Sequence, residues 1–267
     1  MDRRSFVGGS LGAALGPTLA AAASAQTQGT SSSGAAPRVL ELRRYQFRFG
    51  PMQARHSDYA KAALLPALNR AGIRPVGAFT IGVGVGGPAT YMLLPHPSAE
   101  SVLTLGGQLV DDAEYAKAAG SFRSLPATDP PYVRRESSLI VPFASVPAVE
   151  TPVSGAARVF ELRTYESHNE TAGLKKIEMF EKGGEIGIFR RVGVLPVFFG
   201  RDVVGAHLPS LTYMVAFADS AAREKAWAAF RDDAEWGKLR ATPGLSNADI
   251  VTNITATLLR PTDYSQI

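Results

Sequence analysis

The feature that most constrains this chain is that its strongest local patterns occur twice, in the same order and at a nearly constant spacing. Val39-Leu40-Glu41-Leu42-Arg43-Arg44-Tyr45 returns 120 residues later as Val159-Phe160-Glu161-Leu162-Arg163-Thr164-Tyr165. Gly72-Ile73-Arg74-Pro75-Val76 returns as Gly193-Val194-Leu195-Pro196-Val197, and Thr90-Tyr91-Met92 as Thr212-Tyr213-Met214. Asp111-Asp112-Ala113-Glu114-Tyr115 returns as Asp232-Asp233-Ala234-Glu235-Trp236. Four ordered blocks mean one structural unit written twice, so both halves must take the same fold and are at hand to bury each other's apolar faces. The halves are expected at residues 38–142 and 157–267, with the Pro-, Ser- and Ala-rich segment 143–156 as a spacer.

Within each half the hydrophobic period changes in a fixed sequence. Residues 39–49 and 159–166 alternate apolar with polar side chains, the period of a strand. Residues 52–71 and 170–191 carry apolar side chains at helical spacing (Ala60, Leu64, Leu68; Ile177, Phe180, Ile188), and each run stops at a glycine, Gly72 or Gly193. Short apolar runs follow at 75–83 and 90–94, and at 195–200 and 211–217. Helical patterns at 98–119 and 220–240 come next, and strands at 133–141 and 249–258 close the halves. The order βαββαβ is the ferredoxin-like plan, an α+β arrangement in which helices cover one face of a four-stranded sheet and the other face needs a partner.

The paired Val/Phe-Glu-Leu-Arg-x-Tyr strand, the Gly-x-x-Pro-Val step after a long helix, and the Thr-Tyr-Met strand with its Asp-Asp-Ala-Glu helix together resemble the NIPSNAP family. The resemblance covers most of residues 38–260 and is stronger in the second half. It implies a dimeric α/β barrel of the ferredoxin-like superfamily, here with both units in one chain packed sheet to sheet. Relatives in that superfamily include haem-using enzymes and cofactor-free monooxygenases and isomerases, while the NIPSNAP branch has no settled chemistry.

Alternation sorts the first strand into two faces, Leu40 and Leu42 on one and Glu41, Arg43 and Tyr45 on the other; Phe160 and Leu162 separate likewise from Glu161, Arg163 and Tyr165. The leucines and Phe160 are expected under the helices. The two Glu-Arg-Tyr sets would then converge on a cavity between the halves, where burial and neighbouring charges shift pKa values. These six residues are the candidate ligand-binding set, with Tyr45 and Tyr165 also candidate catalytic groups near strand ends. Glu and Arg two apart on a strand also suit plain mutual neutralisation, so structural pairing and ligand contact both stand.

Histidines are few. His168, just after the second half's first strand, and His56, at the start of the first helix, are the candidates for a general base or an axial haem ligand; His96 and His207 fall in turns. No two have the spacing of a helical zinc site, so no metal is expected and no cofactor is required. Gly82-Val83-Gly84-Val85-Gly86-Gly87 joins two strands and lacks the Lys-Ser/Thr of a phosphate loop, which reads as a hairpin.

The N-terminus places Arg3-Arg4 before a mild apolar stretch at residues 8–22 and an Ala23-Ser24-Ala25 step, which resembles a twin-arginine signal cleaved after Ala25. Residues 26–37 read as a flexible polar linker. Such a signal implies the twin-arginine translocase and signal peptidase as partners and a periplasmic or secreted location. The chain has no cysteine, which excludes disulfides, thiolate metal sites and covalent haem. Its 28 basic residues against 24 acidic ones are scattered, too weak a footprint for nucleic acid. The function expected is an exported barrel that holds a small, mostly apolar ligand between its halves. The alternatives are an enzyme of the superfamily's cofactor-free or haem-dependent kinds and a module that assembles into homo-oligomers.

Overall fold

The computed structural model describes residues 39–267. The Arg3-Arg4 pair, the Ala25 step and the linker at 26–37 lie outside the described residues.

The two halves lay out their strands and main helices in the same order. In the first, β1 (Val39–Gln46) leads into α1 (Met52–Tyr59), a π-helical turn at Ala60–Leu64 and α2 (Leu65–Arg70). The hairpin β2 (Gly77–Val83) and β3 (Ala89–His96) follows, then α3 (Ala99–Asp111), α4 (Ala113–Arg123) and β4 (Arg134–Pro142). The second half runs β5 (Val159–Glu166), α5 (Glu170–Glu181), α6 (Glu185–Val192), β6 (Leu195–Val204), β7 (Ser210–Phe217), α7 (Ser220–Asp232), α8 (Ala234–Arg240), a single turn α9 (Asn247–Ile250) and β8 (Asn253–Pro261).

Several expected helices are split, and the repeated motifs explain why. Asp112 and Asp233, the second acids of the two Asp-Asp-Ala-Glu blocks, sit in extended conformation and accept hydrogen bonds from backbone N–H groups one turn on. Each therefore ends one helix and caps the next. Gly193 ends α6 in the left-handed region (φ +88°), which a side chain would resist. The closing strand of the second half begins later than expected, at Asn253, because Ser246 caps the α9 turn through Asp249 N–H and uses up the preceding residues.

The strands form one closed antiparallel barrel in the order β1-β3-β2-β8-β5-β7-β6-β4. Each half contributes four consecutive strands, β4-β1-β3-β2 and β8-β5-β7-β6, and the halves meet along β2–β8 and β4–β6. Both seams carry a register irregularity, between Ile81 and Val83 and between Leu139 and Ile140. Closure leaves no free sheet edge.

Three apolar cores result. One fills the barrel, with Leu40, Phe79, Leu93, Ile140, Phe160, Phe198, Met214 and Leu259 all buried and Leu42 and Leu162 beside them. The other two lie outside the barrel, between each half's sheet and its own helices. This inverts the expected faces: the leucines and Phe160 point into the barrel, while Glu41, Arg43 and Tyr45, like Glu161, Arg163 and Tyr165, face the helices. The physical reason is room and partners. An eight-stranded barrel is just wide enough for compact side chains to fill, whereas the helix layers supply hydrogen-bonding groups for buried charge. The segment expected as a spacer also packs: Phe143 and Val146 join the second half's helix core, Val149 and Val153 close against the barrel core, and Glu150 N–H donates to Val197 O over 2.8 Å.

Candidate functional site

The two Glu-Arg-Tyr sets therefore do not converge on one interior. They occupy two separate sheet–helix layers, and those layers differ.

In the first half the set is sealed. Arg43 donates to both oxygens of Glu41, from Nε at 2.7 Å and Nη2 at 2.9 Å, and Ser137 Oγ adds a third bond to Glu41 at 2.7 Å. His96 Nε2 lies 3.1 Å from the same carboxylate, with its Nδ1 2.9 Å from Ser101 Oγ. Burial would raise the Glu41 pKa, but His96, Arg43 and Ser137 outweigh it and hold the carboxyl down at about 2. His96, expected in a turn, is instead the last residue of β3 and fully buried. The space beyond Arg43 is filled by side chains: Tyr59 stacks on Phe122 at 3.9 Å and bonds Tyr115 through its hydroxyl at 2.7 Å. Tyr45 is buried beside Tyr132 rather than at a mouth. His56, a candidate general base or haem ligand at the start of the first helix, is sealed among the rings of Tyr45, Phe47, Tyr59 and Phe122, with neither nitrogen hydrogen-bonded. Burial lowers its pKa to about 4, so it is neutral.

In the second half the set lines an open cleft of about 450 Å³ between β5 and β8 on one side and α7 and α8 on the other. Its floor is Glu161, Arg163 and Tyr165, and its aromatic walls are Trp227, Phe230 and Trp236. Glu161 is held by the helix: Oε2 accepts from Arg223 Nε at 2.7 Å and from Trp227 Nε1 at 2.8 Å. Arg163 is less satisfied. Its Nε is buried without a hydrogen bond, 3.6 Å from Glu161 Oε1, and its guanidinium lies 5.1 Å from the Trp227 ring and 5.6 Å from Tyr165. Burial raises the Tyr165 pKa, outweighing Arg163 and the Tyr213 hydroxyl that donates to it at 3.2 Å, so Tyr165 stays a neutral phenol.

Behind the cleft a charged pair is wholly buried. Lys176 Nζ sits 3.1 Å from Glu185 Oε2, caged by the rings of Phe180, Tyr165 and Trp236 at 4.7, 5.3 and 5.6 Å. Burial, only partly countered by Lys176 and Arg163, raises the Glu185 pKa. Nothing in the sequence marks this pair, nor Arg223 and Trp227, because helix residues carry no strand period that would assign them to a face of the sheet. Trp236 carried a signal, as it replaces Tyr115 in the repeated helix block.

His168 is exposed in the loop after β5 and belongs to neither this cleft nor a smaller one, about 310 Å³, between α5 and the β6–β7 hairpin. His56 is sealed and His168 lies outside both clefts, so neither is placed to ligate a haem held in one of them. Among the described residues no group of three or more metal-binding side chains gathers.

Residues 160–266 match the NIPSNAP family model. An uncharacterised NIPSNAP-like domain protein from Burkholderia xenovorans aligns with 42% of this chain and 90% of its own length at 18% identity, TM-score 0.37. Across the whole barrel, a candidate monooxygenase from Fusobacterium nucleatum aligns over 85% of this chain and 93% of its own at 8% identity, TM-score 0.56. One from Lactobacillus acidophilus covers 84% and 94% at 9% identity, TM-score 0.56. These likenesses are of fold. No curated protein matches the chain. The cleft thus lies wholly within the NIPSNAP-matching half.

Proposed function

We propose that this chain is an exported pair of ferredoxin-like NIPSNAP-type units whose second unit binds one small molecule, in the cleft between its sheet and α7–α8. The repeated sequence blocks and the matching strand orders of the two halves support the tandem reading. The observation that carries the binding reading is the contrast between the halves: the same Glu-Arg-Tyr strand is closed over by Tyr59, Tyr115 and Phe122 in one and lines a 450 Å³ opening in the other. That volume is in the range of small-molecule sites. Binding suits the cleft better than acid–base chemistry, because Glu161 is committed to Arg223 and Trp227 and burial keeps Tyr165 protonated.

Thermal-shift screening of a metabolite library tests this. Hits should stabilise the wild type and Arg43→Ala alike while losing their effect on Arg163→Ala; hits that ignore Arg163 would place binding elsewhere. The twin-arginine reading rests on Arg3-Arg4 and the Ala25 step. Replacing both arginines by lysine should retain the uncleaved chain in the cytoplasm, and unchanged periplasmic recovery would refute that route.

A further inference from the structure

The lining of the second-half cleft also bears on what it takes. We infer that its ligand is a flat aromatic anion, a carboxylate or the like on a ring system, anchored by Arg163 between the tryptophan walls. This rests on the binding reading above and departs from the mostly apolar ligand expected of a barrel interior.

Charge is the first ground. The cleft is lined by three arginines, 163, 223 and 231, against two glutamates, 161 and 224. Arg223 gives its Nε–H to Glu161 and balances its charge. Arg163 Nε has no hydrogen bond, with Glu161 Oε1 3.6 Å away, and the Tyr213 hydroxyl is the other polar neighbour of the guanidinium, so its planar fork still has donors in hand. Arg231 is exposed at the rim and makes no salt bridge among the described residues. A guanidinium held half out of water against two ring faces gains most from a ligand carboxylate, which it can grip with two parallel bonds.

Shape is the second. Phe230 and Trp236 stand 4.6 Å apart at 30°, and Trp227 meets Phe230 edge-on at 78°. The three rings pack on one another in the helix core and are 7–9% exposed, so what they turn to the cleft is a stiff strip of ring surface against which a flat guest can lie. An aliphatic acid would satisfy Arg163 but make less of the ring surface that lines the cleft.

The chain's two tryptophans are Trp227 and Trp236, so a ligand in the cleft is reported by both indole N–H signals in a proton–nitrogen spectrum. The test titrates the full chain with 2-naphthoate, 2-naphthalenemethanol and 2-naphthylmethylamine by calorimetry, with the indole signals followed in parallel. The acid should bind about tenfold or more tightly than the alcohol and shift both indole signals. In Arg163→Met the advantage of acid over alcohol should vanish. Equal binding of acid and alcohol, with the indole signals shifted, would overturn the anion while leaving the cleft reading intact. Silence of both signals toward all three would overturn the two together. If Arg163→Met fails to fold, the comparison of the three probes on the wild type decides alone.

Discussion

Trp227 donates its indole N–H to Glu161 across 2.8 Å, and through that bond α7 is tied to the strand beneath it. The acceptor is a carboxylate 2% exposed, so the bond is charge-assisted and its loss leaves an oxygen short of a donor. Trp227→Phe keeps a ring in the wall and removes only the N–H. It should cost about 2 kcal/mol in urea unfolding. A change within error would mean that water replaces the donor.

Lys176 and Glu185 make the opposite case, a pair with almost no access to water. Breaking such a pair strands a charge and costs roughly 3–5 kcal/mol, whereas replacing both members with apolar groups is often neutral or better. Lys176→Met should therefore destabilise strongly, and Lys176→Met with Glu185→Leu should recover most of the loss. A double variant as weak as the single one would show that the pair holds the fold by itself.

His56 sets a pH dependence. Unfolded, it takes up a proton near pH 6.5, but in its ring-lined site only near 4. The unfolded state thus binds more protons in that window, and stability is complete above 6.5 and drains away as pH falls toward 4. Between pH 7 and pH 5 the loss assignable to His56 is about 2 kcal/mol. Denaturation of the wild type and of His56→Leu at the two pH values should differ in slope by that amount; parallel behaviour would disprove it. At lower pH a second loss is expected as Glu41, held at about 2 against 4.5 when unfolded, becomes protonated.

Gly200 lies on β6 where it crosses β4. A Cβ there would overlap the Ile140 side chain and come within 2.6 Å of Val141 O. Gly200→Ala should cost about 1–3 kcal/mol, read as a lower thermal midpoint, because the seam between the halves must widen. Ile140→Val should restore little of it, since the backbone contact remains.

Much of the architecture was written in the chain by itself. The repeated blocks, the change of period from strand to helix, and the glycine stops placed nearly every element. They placed them because side-chain periodicity and backbone capping are local properties. The same alternation separated Leu40 and Leu42 from Glu41, Arg43 and Tyr45 correctly. Which of those faces turns inward was decided only by tertiary structure. Both faces of a strand in this barrel are covered, one by the barrel core and one by helices, so a pattern of period two names two sets without saying which cover each receives. Sequence likewise gave both halves one Glu-Arg-Tyr strand, yet only packing closed the first under Tyr59 and Phe122 and left the second open beside Trp227 and Trp236. Those partners come from helices tens of residues away, and no spacing along the chain records the contact.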